Sequence, residues 1–470
     1  MLVRDAFVTI ITRFGLAALI FATDVAIARL LGPAAKGRFA LVLLYSQLAA
    51  LLIGFGLDNA LGYVAGRSKG TARRGFANAV YWALLVGGLA AVGSALLYGL
   101  PTDVRPRGPL TEVLPNLSAA QFTYAALAIP GEVFFGIGLF GLLGRKQVGA
   151  YNLIRVLRRA VLLILVVATA AIFRLSLDAA LVLNLIALGV SGLAIILAAR
   201  AEGGFGMVPS LPLLAEQLRF GLRSVLGSLA ERLQFRADAF IVNILLSVSA
   251  TGVYSVTSGL AETLWYLPNA LGVVMFSRAV DPNADAGRIA AALARTTLAV
   301  TLALSIPVFI FAPWLVETIY GPAFAEAGFA LRAIIPGIVV YSVVAILSRY
   351  VVGTGSPGLG TMVLLSGLGV NIVLNLILIP RFGITGAAAA SSISYFVTAV
   401  LTLTIFRRLS GRSLRETLLI RRRDLLAAAR ATDALLARLM GRRHGPLRLI
   451  RGGEGAAKMV IEEHDPGEEL

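Results

Sequence analysis

Residues 360–406 read GTMVLLSGLGVNIVLNLILIPRFGITGAAAASSISYFVTAVLTLTIF, two apolar runs parted by Pro380, Arg381, Phe382 and Gly383. A bilayer core of roughly 30 Å takes about 20 apolar residues per helix, and each run meets that length. Arg381 is the only charged side chain in the whole stretch. Pro380 and Gly383 fall where one helix must end and its successor begin, because proline removes a backbone donor and glycine accepts backbone angles other residues avoid. A membrane is the solvent this stretch is built for.

Working outward, the same pattern recurs. Apolar runs over 7–28, 40–64, 76–99, 117–142, 151–173 and 178–199 precede a polar stretch at 200–216, and runs over 218–246, 252–277, 288–313, 328–352, 360–380 and 384–406 follow it. The expected fold is an all-α polytopic membrane protein of about twelve transmembrane helices. The chain divides into a first six-helix bundle (1–200), a linker (201–217), a second six-helix bundle (218–407) and a basic tail (408–470). Composition agrees: 58% of residues are hydrophobic, 14% are charged and the mean hydropathy is +0.85, against roughly 25% charged residues in soluble domains. The first run carries no small-residue cleavage site and is expected to be a retained helix.

Composition also excludes chemistry. The sequence contains no cysteine, so disulfides, thiolate nucleophiles and zinc-thiolate sites are out. Both histidines, His444 and His464, lie in the tail, leaving the membrane region without the commonest general base and metal ligand. No metal and no cofactor is expected, and no enzyme activity. The glycine-rich Gly353–Gly358 turn lacks the Lys and Ser/Thr of a phosphate-binding loop and receives no nucleotide role.

Lysine and arginine placement predicts orientation, since cytoplasmic loops retain positive charge. Arg67, Lys69, Arg73 and Arg74 mark the second connection, and Arg145 and Lys146 the fourth, with Arg155, Arg158 and Arg159 just inside the following helix. The connection with Lys36 and Arg38 runs against the rule. Both termini come out cytoplasmic. In the tail, Ser413 and Glu416 have capping-box spacing ahead of Leu418, Leu425, Ala429, Leu436 and Leu439, which predicts a basic amphipathic helix on the anionic inner leaflet and a disordered acidic end. The net charge of +17 is thus assigned to lipid, with no nucleic-acid partner.

A charge at mid-membrane costs about 2.5 to 3.5 kcal/mol on insertion scales, so embedded charges face a partner or a watery cavity. Arg13 and Asp24 share one face of the first helix, close to three turns apart. Asp58 sits in a glycine-interrupted segment, Gly54–Asn59, and Glu132 follows Pro130-Gly131. The seventh helix carries Arg219, Arg223, Glu231, Arg232, Arg236 and Asp238. Arg219 and Arg223 are expected to snorkel at its end. Arg232 and Arg236 read either as anion-binding groups in a cavity or as members of a salt-bridge network. Glu262, Arg332 and Arg349 read as charges near a helix end or paired charges, and Asn371 with Asn375 as helix glue.

Several segments in order resemble bacterial polysaccharide exporters of the Wzx type. They are Leu30-Leu31-Gly32-Pro33 with Lys36-Gly37; Asp238 with Gly252, Tyr254, Glu262 and Pro268; Tyr320–Ala327; and Gly355, Pro357, Asn371, Asn375, Ile379–Ala388 and Tyr395. The resemblance spans about residues 5–408 and is strongest in the second half. It implies the multidrug, oligosaccharidyl-lipid and polysaccharide exporter superfamily: a V-shaped pair of bundles in the bacterial plasma membrane that flips undecaprenyl-pyrophosphate-linked oligosaccharide by alternating access, driven by a Na+ or H+ gradient. Polysaccharide polymerase and synthesis enzymes are the implied protein partners. Arg13, Arg232 and Arg236 would then attract the pyrophosphate. Asp24, Asp58, Asp238 and Glu262 would orient them or exchange the coupling ion. A cation-coupled multidrug exporter and a peptidoglycan-precursor flippase are the alternatives within the superfamily.

Overall fold

The computed structural model describes residues 2–99, 108–279, 285–419, 448–451 and 457–460. Helix follows helix. The first helical rod, Leu2–Gly54, is two helices joined at Gly32, whose φ of 74° and ψ of 175° leave the helical region just before Pro33. These are α1 (2–31) and α2, which runs from 33 through a two-residue break into Leu57–Ala65. Then come α3 (69–98, with a π-helical turn at Ala83–Gly87), α4 (Ala119–Gly144), α5 (Val148–Ile172) and α6 (Leu177–Ala201).

The second half repeats the count among the described residues. It comprises α7 (Leu211–Leu245), α8 (Val248–Thr263 continued by Tyr266–Ala279), α9 (Ala286–Tyr320) and α10 (Glu326–Gly353). The rod Pro357–Ser410 breaks at Gly383 (φ 58°, ψ −142°) into α11 (357–382) and α12 (384–410). Twelve long helices therefore match the twelve apolar runs, and the chain is a multi-pass membrane protein of all-α exporter architecture.

Local chemistry sets the boundaries. Ser68, Ser118, Ser176, Ser247 and Asp285 accept a hydrogen bond from a first-turn backbone N–H of the helix each precedes, filling donors that have no intrahelical partner. Seven of the helical rods are long and apolar enough to cross a membrane on composition alone. Helix α5 falls short only because of Arg155, Arg158 and Arg159, and α7 because of its charged residues. Those exceptions point to the cavity described below.

In lipid, close backbone approach replaces the hydrophobic effect as the glue between helices. Gly144 of α4 packs on the backbone of Gly62 in α2, and Gly337 of α10 on Ser392 of α12. Four buried apolar clusters fill the two halves, among them Phe76, Ile129, Ile137 and Ile195 in the first and Tyr254, Ile334, Ile338 and Tyr395 in the second.

Two sets of connections gather at opposite ends. At one end, Arg73 donates to the Gly203 carbonyl (2.7 Å) and Arg67 pairs with Glu216 (2.7 Å), so the basic second connection lies beside the α6–α7 connection. At the other, Arg38 donates to the Asn116 carbonyl (3.2 Å), and Asn116 Nδ2 to Asn243 Oδ1 (3.1 Å). These are the basic end and the far end below.

Two expectations change. Residues 29–39 do not form a loop: α1 turns into α2 at Gly32-Pro33 alone, and Lys36, 4% exposed, is buried on Asp24. The charge that broke the positive-inside pattern is an internal ion pair. In the tail, Ser413 and Glu416 do form a capping box, over the short α13 (Leu414–Leu418), while the rest of the expected amphipathic helix lies outside the described residues. The acidic end expected to be disordered, Glu462 to Glu469, lies outside the described residues, and ahead of it Ala457–Val460 pairs antiparallel with Arg448–Arg451.

Candidate functional site

Two neighbouring cavities, the larger lined by the first half with Arg232 reaching in from the second and the smaller lined by both halves, share Ile20, Gln47 and Arg159 on their walls. The first, about 380 Å³, opens among α1, α2, α4, α5 and α7, and carries Arg155, Arg158, Arg159 and Arg232 against Asp58 and Glu132. The second, about 210 Å³, lies among α1, α2, α5, α7, α8 and the end of α9. Its walls are rich in hydroxyls and rings: Thr23, Thr251, Ser255, Ser258, Phe21, Phe39, Tyr266 and Tyr320.

The arginines differ in what holds them. On α5, Arg158 meets Glu132 of α4 through both terminal nitrogens, one of them 3.0 Å from Oε2, with both side chains buried and the Phe135 ring 4.5 Å from the guanidinium. Arg158 is thus neutralised. Arg155 lies over the Tyr151 ring at 5.3 Å. Among the described residues Arg155, Arg159 and Arg232 have no carboxylate within ion-pair distance. A helix carrying arginines at i, i+3 and i+4 presents them as one stripe. The stripe faces the cavity, and its unpaired members give the larger cavity an excess of positive charge.

Arg236 has another role. It forms a two-pronged pair with Glu262 of α8, both distances 2.9 Å. The guanidinium that its spacing left open between anion binding and a salt bridge, and that the Wzx-type resemblance set beside Arg232 as an anion ligand, is here paired with a carboxylate, on the wall of the smaller cavity. Asp24 likewise is held: Lys36 pairs with one carboxylate oxygen and the Tyr320 hydroxyl donates to the other at 3.2 Å. Asp58 lines the larger cavity with Arg232, one oxygen accepting from the Asn59 backbone (2.8 Å). Arg13 lies in α1, but its side chain is outside the described residues.

Asp238 faces away from both cavities, into the second half. At 2% exposure its carboxylate accepts from the Tyr254 hydroxyl, from Ser391 Oγ at 3.1 Å and from the Ala239 backbone at 2.8 Å. Asn371 donates to Ser391 Oγ (3.2 Å), and Asn375 to Asn371 Oδ1 (2.9 Å). Asn375 Oδ1 and Gln234 Oε1 are buried without a hydrogen-bond partner among the described residues. A buried carboxylate with no ion-pair partner among the described residues, its neighbour Arg236 already paired with Glu262, is a costly arrangement unless something binds there.

Of the residues singled out in the sequence, Asp58 and Arg232 line the larger cavity and Asp24, Arg236 and Glu262 the smaller, while Asp238 lies apart from both; Arg155 and Arg159 were missed. Those two were read only as orientation markers just inside the fifth helix. The signal that could have found them is their i, i+4 spacing inside an apolar run.

With this geometry in hand, the class of protein follows: a polytopic membrane protein of the exporter fold, with charged cavities beside the contact of its two helical halves. The lipid II flippase MurJ in an inward closed conformation superposes with a TM-score of 0.65 at 12% identity, over 94% of either chain. An inward-facing multidrug resistance MATE family transporter of the MOP superfamily gives 0.63 at 18% identity, over 85% of this chain and 98% of that one. A MOP superfamily transporter from Pyrococcus furiosus gives 0.53 at 18% identity, over 87% and 95%. Residues 146–328 match the polysaccharide biosynthesis protein family model. A probable low-salt glycan biosynthesis flippase of Haloferax volcanii is 24% identical over 198 residues, 41% of this chain and 42% of that protein. An uncharacterized membrane protein of Methanocaldococcus jannaschii is 26% identical over 113 residues, 24% and 22% respectively. The aligned region thus spans less than half the length of these curated relatives. The fold is the one the Wzx-type resemblance implies, and the relatives whose activities are named are transporters rather than enzymes.

Proposed function

We propose that this chain flips a lipid-linked glycan, an oligosaccharide on undecaprenyl pyrophosphate, from the inner to the outer leaflet by alternating access. The observation that carries the proposal is the set of unpaired guanidiniums, Arg155, Arg159 and Arg232, around the larger cavity. Keeping such charges at membrane depth costs about 2.5 to 3.5 kcal/mol each on insertion scales, a cost that an anionic ligand offsets. Guanidinium binds phosphate oxygens through two parallel hydrogen bonds, which suits a pyrophosphate. The hydroxyls and rings of the smaller cavity suit sugar rings, whose polar edges and apolar faces need both. A cation-coupled multidrug exporter would call for net negative walls instead.

Asp238 is our choice for the coupling ion, Na+ or H+. One buried carboxylate and the two hydroxyls on it, at the head of a polar chain through Asn371 to the orphaned Asn375 oxygen, suit a monovalent cation. The basic end then faces the cytoplasm of a bacterial cell, both termini with it, the tail beside anionic lipid and available to polymerase and synthesis enzymes.

The test is leaflet exchange of a fluorescent undecaprenyl-pyrophosphate oligosaccharide in proteoliposomes. Wild type exchanges it, and Arg159→Ala with Arg232→Ala does not while remaining folded. Export of organic cations without glycan-lipid exchange would overturn the reading in favour of a drug exporter. Preference for a peptidoglycan precursor would reassign the substrate.

A further inference from the structure

Two glycine-on-glycine contacts join the halves, one near each end of α2. Toward the far end, Gly37 of α2 meets Gly252 of α8. A Cβ on Gly37 would lie 2.9 Å from the Gly252 nitrogen and overlap the Val248 carbonyl, and a Cβ on Gly252 would lie 2.8 Å from the Gly37 nitrogen and overlap the Pro33 carbonyl. Toward the basic end, Gly56 meets Gly221 of α7. Here the added Cβ atoms would lie 2.8 Å from the Gly221 Cα and 2.7 Å from the Gly56 carbonyl carbon. Among the described glycines, these four alone meet backbone of the other half inside 3.0 Å. Other tight glycines, such as Gly144 on Gly62, pack within their own half.

The two contacts bracket the cavities. Gly56 itself lines the larger one, and Lys36 and Thr251, neighbours of Gly37 and Gly252, line the smaller. Each contact is backed by lighter bonds between the same halves. At the basic end Tyr63 stacks on Phe220, centroids 5.0 Å apart and planes within 3°, and Arg67 pairs with Glu216. At the far end Asn116 bonds Asn243, and Arg29 donates to the Ile319 carbonyl at 2.6 Å. The halves thus touch toward both ends.

We infer that the Gly56–Gly221 and Gly37–Gly252 contacts are the two gates of the transport cycle. The inference rests on the alternating-access reading above. A gate must shut tightly against small ions, yet part without unpacking interlocked side chains. Backbone laid on backbone does both: it leaves no gap for water, and no side chain has to be withdrawn when it separates. The same geometry makes the seals intolerant of a single added methyl, because the atoms it would meet are backbone atoms of the other half rather than flexible side-chain ends.

The sequence makes the test clean, since a cysteine introduced anywhere is the only thiol. Ile20→Cys places it on the wall shared by both cavities, and a membrane-impermeant maleimide added to one side of oriented vesicles reports which gate is open. Wild type should label slowly from either side. Gly221→Ala, at a helical position with no backbone strain of its own, should speed labelling about tenfold from the basic end alone, the effect of shifting the open population by that factor. Gly252→Ala should do the same from the far end alone. Labelling at the wild-type rate from the side whose glycine was changed, or equal acceleration from both sides, overturns the assignment. If Gly221→Ala does not fold, cysteines at Tyr63 and Phe220 test the same gate: bridging them should abolish labelling from the basic end until reduced, and labelling that ignores the bridge overturns the proposal. The reagent involves no glycan, so a wrong substrate would leave this result intact.

Discussion

Arg158 and Glu132 grip each other through two parallel hydrogen bonds, deep between α5 and α4, each side chain less than a tenth exposed. The pair is buried and neutral, and it lies beside arginines that have no such partner. That contrast separates structural from ligand-facing charge in this protein.

Removing one member of a buried pair strands the other. Glu132→Ala should therefore destabilise the fold by about 3 to 5 kcal/mol, and pairing it with Arg158→Met should recover most of the loss. Thermal unfolding in detergent, followed by the monodisperse fraction surviving heating, compares the single and double variants.

Arg159→Ala should behave in the opposite way. No carboxylate within ion-pair distance among the described residues is left stranded by its removal, so stability should stay within about 0.5 kcal/mol of wild type or rise. Leaflet exchange of the glycan lipid should fall at least tenfold, as for one lost charge-assisted contact to phosphate worth about 1.5 to 3 kcal/mol. Lysine at this position should restore part of the rate, because it keeps the charge and loses the two-pronged geometry.

How much of this was legible in the sequence depends on which force left a trace there. Helix number is written in apolar run length, and the glycines and prolines at 32–33 and 380–383 mark where rods break. Asn371 and Asn375, one turn apart, read as glue, and Asn371 does join α11 to α12 through Ser391, while Asn375 bonds back to Asn371 within α11. Charge placement is less readable. An arginine near a helix boundary looks the same whether it stays with the cytoplasmic headgroups or turns inward, so Arg155, Arg158 and Arg159, placed just inside the fifth helix, read only as markers of orientation. Lys36 misled for the same reason, until the fold brought Asp24 beside it. Arg236 meets Glu262 across 26 residues of chain, a pairing that helical spacing within α7 could not reveal.

Outside the membrane, Asp285 caps α9. Its carboxylate accepts from the Arg288 backbone N–H at 3.0 Å and pairs with Arg412 at 2.8 Å, and these, the backbone bond first, hold its pKa below the ordinary aspartate value. A depressed folded pKa adds stability that is present above the unfolded pKa of about 3.9 and lost as pH falls through the folded value. The first turn of α9 should keep constant hydrogen-exchange protection from pH 7 to 5, corrected for intrinsic rates, and lose it only under more acid conditions. Asp285→Ala should remove that acid-dependent step, and Asp285→Asn, which still caps, should keep most of the protection at neutral pH.

Asp238 supplies the sharpest test of the coupling proposal. A ligand that binds only the folded state stabilises it by RT ln(1 + [L]/Kd), about 2.7 kcal/mol at a hundredfold excess over Kd. If Na+ occupies the Asp238 site, replacing K+ with Na+ at fixed ionic strength should raise the unfolding temperature of the wild type. Asn375→Ala should reduce that rise, since it removes a buried oxygen that has no hydrogen-bond partner among the described residues. Asp238→Asn should abolish it by removing the charge. A proton in place of Na+ predicts a different pattern: no response to Na+ in any variant, and wild-type transport that follows an imposed pH gradient, which Asp238→Asn no longer does. Wild-type exchange indifferent to both gradients would leave Asp238 a structural hub, holding α7, α8 and α12 together through Tyr254 and Ser391.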